Sequence, residues 1–264
     1  KEMLKNIENK KVHVTISNWD TENKNPVGKI TRILGDVNDH ETEINSILIE
    51  GGFDSSFKDV VEEKASSIDK TITPKEVFDR LDLRKTPTFT IDPEDAKDFD
   101  DAISVKQLQN KNWEVGVHIA DVGHYIKVGD PIDREALNRG TSVYLVDRVV
   151  PMLPEILSND LCSLKPNEDK LCFSVIFEFT NRAELINYKI SKTIIHSDKR
   201  FTYDQAQKNI DSKSGLFYKE LVQIKDLSKV LRQKRKENGS INFEKTEVKF
   251  VLDKDKNPID VSFK

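Results

Sequence analysis

The chain has 264 residues, 36% of them hydrophobic and 33% charged, which suits one large or two smaller globular domains and excludes wholesale disorder. It has no apolar run near the roughly 18 residues that cross a bilayer, no signal-peptide core in KEMLKNIENKKV and no CxxC pair, its only cysteines being Cys162 and Cys172. The net charge of −4 hides a gradient: residues 1–51 hold 7 basic and 9 acidic residues, 52–180 hold 16 and 25, and 181–264 hold 19 and 12.

An acidic middle before a basic last third is compatible with a metal-loaded site beside a phosphate-attracting surface, or with ordinary solvated faces. Cysteine usage points to a reducing, cytoplasmic setting. The first methionine is Met3 behind Lys1, so the chain is expected to be a piece of a longer protein.

Residues 12–19 (VHVTISNW) alternate apolar and polar, the period of a half-buried strand. KITRIL at 29–34 reads as a second strand after the turn-like TENKNPVG. Two strands bury no core alone, and these read as the end of a small β-barrel. Residues 36–70 are charged and read as helix in pieces. Thr73-Pro74-Lys75-Glu76 has the cap, the first-turn proline and the reciprocal Glu that begin a helix, predicted over 74–83.

Strands are predicted at 88–91, 102–108 and 113–119. Asp130-Pro131 opens a helix that Gly140 closes. LCFSVIFEF (171–179) and ELINYKISKTIIH (184–196) read as a long hairpin around Asn181-Arg182. Thr202 with Gln205 makes a second capping box. A helix over about 215–237 places Phe217, Leu221, Ile224, Leu227 and Leu231 on one stripe and stops at Asn238-Gly239. A last strand or hairpin covers 241–252. The mixture predicts an α+β fold with a largely antiparallel sheet and packed helices.

Chemistry concentrates between two of these strands, where Asp92, Glu94, Asp95, Asp98, Asp100 and Asp101 occupy ten positions. Ile91 and Phe99 interleave with them, which a merely solvated acidic turn does not need. Carboxylates packed at this density repel unless a cation offsets them, and an all-oxygen set selects hard ions such as Mg²⁺ or Mn²⁺. An EF-hand loop fails on its glycine and its terminal glutamate, while an exposed acidic turn and a metal site for phosphoryl chemistry both remain open. No GxxxxGK, GxGxxG or HExxH is present. His118, within an alternating strand, reads as a satisfied structural histidine.

Asp92-x5-Asp98-x-Asp100-Asp101 resembles the signature of the RNase II/RNase R exoribonucleases, whose catalytic module is the RNB domain. VGVHIADVGHYI at 115–126, IDREALNRGTSVYL at 132–145, RVVPMLPEILSNDLCSL at 148–164, RFTYDQA at 200–206 and INFEKTEVKF at 241–250 continue the likeness in the family's order. PVGKITRILGD is similar to the end of the cold-shock (OB-fold) domain that precedes that module in the RNase R branch.

The resemblance implies residues 1–50 as the C-terminal part of an OB-fold domain, 51–86 as a helical linker and 87–264 as the N-terminal part of an RNB domain. It implies processive 3′→5′ hydrolysis of single-stranded RNA to nucleoside 5′-monophosphates with Mg²⁺ or Mn²⁺. Asp92, Asp98 and Asp101 match its metal-holding carboxylates, Asp100 with Asp98 its catalytic acids, and Tyr144 the aromatic that stacks on a base. Arg139 and Arg148 flank this region as candidate phosphate contacts, with structural ion pairs the commoner fate of such arginines.

Further family elements are expected after Lys264, so this chain alone is expected to be weak or inactive. The strands at 12–34 are expected to pair with another chain, to pack on the larger sheet or to be disordered. A non-catalytic RNA-binding module and a different divalent-metal phosphoesterase are the alternatives.

Overall fold

The computed structural model describes residues 7–19, 25–241, 248–254 and 258–263. The chain divides into two compact units, Lys1–Asp59 and Val60–Lys264. In the first, β1 (Lys10–Asn18) and β2 (Val27–Asp36) form an antiparallel ribbon whose register slips at three points. Most of the turn-like stretch between them, residues 20–24, lies outside the described residues. Both strands are hydrogen-bonded along their length, so disorder, one of the expected fates, does not hold for them. The ribbon leaves Val14, Ile16, Val27 and Ile33 exposed. Helix α1 (His40–Glu50) follows, its first turn capped by the Asp39 carboxylate, which accepts the Thr42 N–H at 3.0 Å.

The second unit is built on a seven-stranded sheet ordered β11-β4-β5-β6-β9-β10-β3. Its members are β3 (Leu81–Asp82), β4 (Thr88–Asp92), β5 (Asp101–Gln107), β6 (Trp113–Ala120), β9 (Glu168–Phe179), β10 (Leu185–Ser197) and β11 (Lys199–Thr202). Pairing is antiparallel except at the two ends, β10 with β3 and β11 with β4. The hairpin β7 (Val143–Tyr144) and β8 (Val149–Val150) stands apart, as does the ribbon β12 (Val248–Leu252) and β13 (Pro258–Phe263). The predicted last strand therefore has its partner further on, at 258–263, and residues 242–247 of that expectation lie outside the described residues.

The α-helices are α2 (Asp59–Ser66), α3 (Pro74–Phe78), α4 (Val122–Tyr125), α5 (Pro131–Arg139), α6 (Tyr203–Ser212) and α7 (Tyr218–Glu237), and a π-helical turn covers Leu157–Leu161. Both capping boxes form, at Thr73 with Glu76 and at Thr202 with Gln205. Gly140 closes α5 at a φ of 71°, a left-handed turn that glycine adopts without penalty.

Helix α3 ends at Phe78, short of the predicted residue 83. Leu81 and Asp82 are taken into the sheet beside Thr193 and Ile194, and the buried Arg80 pairs with Asp121 at 2.6 Å. Tertiary pairing here overrides a local pattern that favoured further helix.

The predicted stripe of α7 is its packing face. Leu221 joins Phe89, Phe201 and Ala206, with Phe217 and Ile224 packed against them, and Phe89 stacks on Phe217 with centroids 5.5 Å apart. Leu227 joins Phe179 and Ala183, with Leu231 alongside. The helix thus fixes β4, which carries the start of the acidic segment, and its neighbour β11.

On β6, His118 is fully buried between two hydroxyls, Ser174 Oγ at 2.8 Å and Ser104 Oγ at 2.9 Å, and Ser174 continues to Thr193 at 2.6 Å. Gly116 makes the room, since a Cβ there would come within 2.6 Å of the imidazole. Burial lowers the His118 pKa to about 4. The unfolded chain takes up this proton near pH 6.5, the folded chain only near 4, so the stability is complete above the first value and drains away as pH falls towards the second. Denaturant titration at pH 7 and pH 4.5 should show His118→Gln losing less stability between the two than the parent, by roughly 2–3 kcal/mol.

Candidate active site

The sheet splits where the acids lie. Strand β4 pairs with β5 only at Thr88↔Ser104 and Phe89↔Ile103, then continues to Asp92 with β11 alone, Thr202 facing Asp92. Strand β5 begins at Asp101, opposite Ile119 of β6. The chain between, 93–100, has no regular structure beyond a turn at Glu94-Asp95. Asp92 and Asp101 therefore stand on either side of an opening in the sheet, with Asp98 and Asp100 on the segment that bridges it.

The four carboxylates feel one another. Burial raises the pKa of Asp100, and the charges of Asp98, Asp101 and Asp92 raise it further. Burial also raises that of Asp92, with Asp101 and Asp98 pushing the same way and Thr90 and Arg200 opposing. Asp92 is 9% exposed, whereas Asp100 and Asp101 reach solvent. Asp100 is thus accessible from outside while its carboxyl is recessed enough to resist ionisation. Asp92 Oδ2 is buried without a hydrogen-bond partner, as are Thr90 Oγ1 and Arg200 Nε; the Thr90 hydroxyl is near enough to favour the charged Asp92 but not placed to bond it.

This donor set suits a hard cation, and the orphaned Asp92 oxygen is the kind of group a cation or its hydration water satisfies. Among the described residues, no three acidic, imidazole or thiol groups already close on one point, so the expected convergence of Asp92, Asp98 and Asp101 is not a preformed cage. Magnesium keeps several of its waters and needs only one or two direct carboxylates, which an open cluster supplies. Two hollows, one of about 330 Å³ lined by Lys70, Tyr125, Asp160 and Lys170, among others, and one of about 490 Å³ lined by His13, Thr31, Arg32 and Asp54, among others, include none of the four acids, so cavity size does not locate the site.

Tyr144, at the end of β7, is 71% exposed, and its hydroxyl feels burial together with the charges of Asp98 and Asp100, all of which raise its pKa. Tyr144 thus presents an exposed ring within electrostatic range of Asp98 and Asp100. Arg139 behaves differently. It is buried, its Nε donates to Glu135 at 2.9 Å and its Nη1 to the Pro151 carbonyl at 3.2 Å. That engagement leaves the phosphate role expected for Arg139 without support. Arg148 donates twice from Nε to Asp147, whose side chain is fully buried, so it is engaged within the β7–β8 hairpin.

Two residues that local sequence reading passed over attach to the acidic segment: Ser163, whose hydroxyl meets Lys97 and Phe99, and Arg200, which bonds the Pro93 and Glu94 carbonyls. Their sequence neighbourhoods, LCSL and RFTYDQA, carried the family likeness, but nothing local marked these side chains.

Comparison with known proteins places the fold. The RNB domain family matches residues 80–264, and a Dis3-like cold-shock domain 2 matches residues 1–52. The chain belongs to the RNB-domain family of RNase R/Dis3-type exoribonucleases. It is similar to ribonuclease R of Thermotoga maritima, 39% identical over 263 residues, a match covering 96% of this chain and 37% of that protein. It is also similar to Mycoplasma genitalium RNase R solved with double-stranded RNA and with ribose-methylated single-stranded RNA. Both structures match at a TM-score of 0.87 and 33% identity over 97% of this chain, and over 46% and 40% of theirs. Yeast Ssd1, a pseudonuclease, shares the fold at a TM-score of 0.74 and 22% identity, over 89% of this chain and 30% of its own. The chain spans 30–46% of the length of these relatives.

The engagement of Arg139 predicts where its loss is felt. Arg139→Ala strands Glu135 in the interior and should destabilise the unit by roughly 3–5 kcal/mol, read by denaturant unfolding. RNA affinity measured on the still-folded protein at two salt concentrations should keep its salt dependence; a reduced slope would instead place Arg139 on a phosphate.

Proposed function

We propose that this chain carries the carboxylate half of the active site of a magnesium-dependent 3′→5′ exoribonuclease that degrades single-stranded RNA processively to nucleoside 5′-monophosphates. The observation that supports this most is the placement of Asp92, Asp98, Asp100 and Asp101 at the opening between β4 and β5, with Asp92 Oδ2 buried and unpartnered and the Tyr144 ring exposed. The family and the RNA-bound relatives support the substrate class.

On this reading Asp92, Asp98 and Asp101 hold magnesium, or manganese, directly or through its water shell. The bound ion would stabilise charge on the phosphate and on the leaving oxygen. Asp100, raised by burial and by its neighbours, is a better proton acceptor than a free aspartate and is placed to orient the attacking water and take its proton, with Asp98 beside it. Water oxygen joins the last internucleotide phosphorus, and the bond to the penultimate nucleotide's 3′ oxygen breaks. The Tyr144 ring offers a stacking face that any base can use, which suits a sequence-blind enzyme.

The proposal assigns turnover to the complete protein and little or none to this chain alone, and it places the protein in the cytoplasm, which the buried free thiols of Cys162 and Cys172 support. Among the described residues no helix is long and apolar enough to cross a membrane. The open ribbon β1–β2 is where self-association would occur. A non-catalytic RNA-binding role is the second reading. It is favoured by the exposed Lys225, Lys229, Arg232 and Lys236 stripe of α7, and by the existence of a pseudonuclease with this fold.

In the complete protein, Asp100→Asn should bind RNA at least as tightly as the parent while mononucleotide release falls by roughly 10²–10³-fold. Undiminished release would remove Asp100 from the chemistry. Salt-dependent RNA binding by the parent, with no magnesium-dependent release, would establish the binding role instead.

A further inference from the structure

Two of the four mutually repelling carboxylates, Asp98 and Asp100, sit on a segment without helix or strand, between Asp92 at the end of β4 and Asp101 at the start of β5, so something must hold its backbone still. The Ser163 hydroxyl is fully buried and uses both of its hydrogen-bonding directions on this segment: it accepts the Phe99 N–H at 3.1 Å and donates to the Lys97 carbonyl at 3.0 Å. The next residue, Leu164, donates its N–H to the Phe99 carbonyl at 2.8 Å. Both backbone groups of Phe99, the residue between Asp98 and Asp100, are therefore fastened to consecutive residues of another segment. The Asp100 carbonyl is in turn held by the Ala120 N–H at 3.1 Å.

Arg200 grips the same segment from β11. Its Nη2 donates to the carbonyl of Pro93 and, at 3.0 Å, to that of Glu94, and its guanidinium lies over the Phe99 ring, 5.5 Å from the centroid. Phe99 is thus the hub: its backbone is held by Ser163 and Leu164, its ring by Arg200.

We propose that Ser163 is a positioning residue for the active site, fixing where Asp98 and Asp100 present their carboxylates, with Arg200 as the second clamp on the same segment. This rests on the metal-site reading above. Ser163 is buried and uncharged, and it acts through the backbone at Phe99, which sets the two aspartates on either side. A hydroxyl with both directions used on one loop is a bracket rather than filler, because shape alone would be served by alanine or cysteine. Partners that orient the groups around a metal commonly matter as much as the groups themselves.

The test uses the complete protein as Ser163→Ala, Ser163→Thr and Arg200→Gln. Three readouts are taken: amide hydrogen exchange at Phe99, Mn²⁺ affinity by electron paramagnetic resonance, and the kcat and KM for RNA. Ser163→Ala should speed exchange at Phe99. It should weaken Mn²⁺ binding or lower kcat by roughly 10–100-fold and leave KM for RNA within about threefold. Ser163→Thr, which keeps the hydroxyl, should recover part of the loss.

Arg200→Gln, at a partly exposed position, should lower kcat in the same sense and supplies the answer where a Ser163 variant fails to fold. Native exchange at Phe99 with native Mn²⁺ affinity and kcat in Ser163→Ala overturns the positioning role. So does a loss confined to KM. If Phe99 is released as expected but Mn²⁺ binds no more weakly and Asp100→Asn still turns over RNA, it is the metal-site reading that has failed.

Discussion

Mutual repulsion among Asp92, Asp98, Asp100 and Asp101 is the constraint from which the rest of this structure follows. Burial and neighbouring charge push Asp92 and Asp100 towards the neutral acid, which an arrangement selected for stability alone would avoid. The sheet accommodates them by parting: β4 leaves β5 after two residue pairs and keeps β11 as its only neighbour as far as Asp92. An opening of this kind forgoes ladder hydrogen bonds, so the strands around it must be secured by other means.

Those means are apolar on one side and polar on the other. Helices α6 and α7 bury Leu221 and Ala206 against Phe89 and Phe201, locking the two strands that lead to Asp92. Across the middle of the sheet, the Ser104–His118–Ser174–Thr193 chain links four adjacent strands through side chains in a fully buried row. Rigid strands thus flank a segment whose own backbone depends on borrowed contacts. On the proposed reading this division is functional: the scaffold fixes the ends of the acidic segment, and the clamps at Phe99 set the reach of the carboxylates between them.

Much of this was legible in the sequence because it rests on local chemistry. The capping boxes at Thr73 and Thr202, the Gly140 stop, the long hairpin and the α7 stripe all follow from side-chain type at fixed spacing, and so does the acidic cluster. What was not legible depends on distant partners. The end of α3 was decided by the sheet edge beside Thr193 and by the Arg80–Asp121 pair, neither of which the helix pattern contains. For Arg139 and Arg148 the local pattern offers a phosphate or a structural ion pair without naming a carboxylate; the fold pairs them with Glu135 and Asp147. Ser163 was one serine among many until the fold set it against a segment 64 residues away.

The central claim is that the aspartates at the split in the sheet hold a divalent cation. Anomalous diffraction from crystals of the complete protein equilibrated with Mn²⁺ tests it most directly. The account predicts an anomalous peak at the opening between β4 and β5, within roughly 2.0–2.6 Å of at least one oxygen of Asp92, Asp98, Asp100 or Asp101, the range of direct metal–oxygen bonds. Manganese bound elsewhere in the protein, with no peak among these side chains, would contradict it.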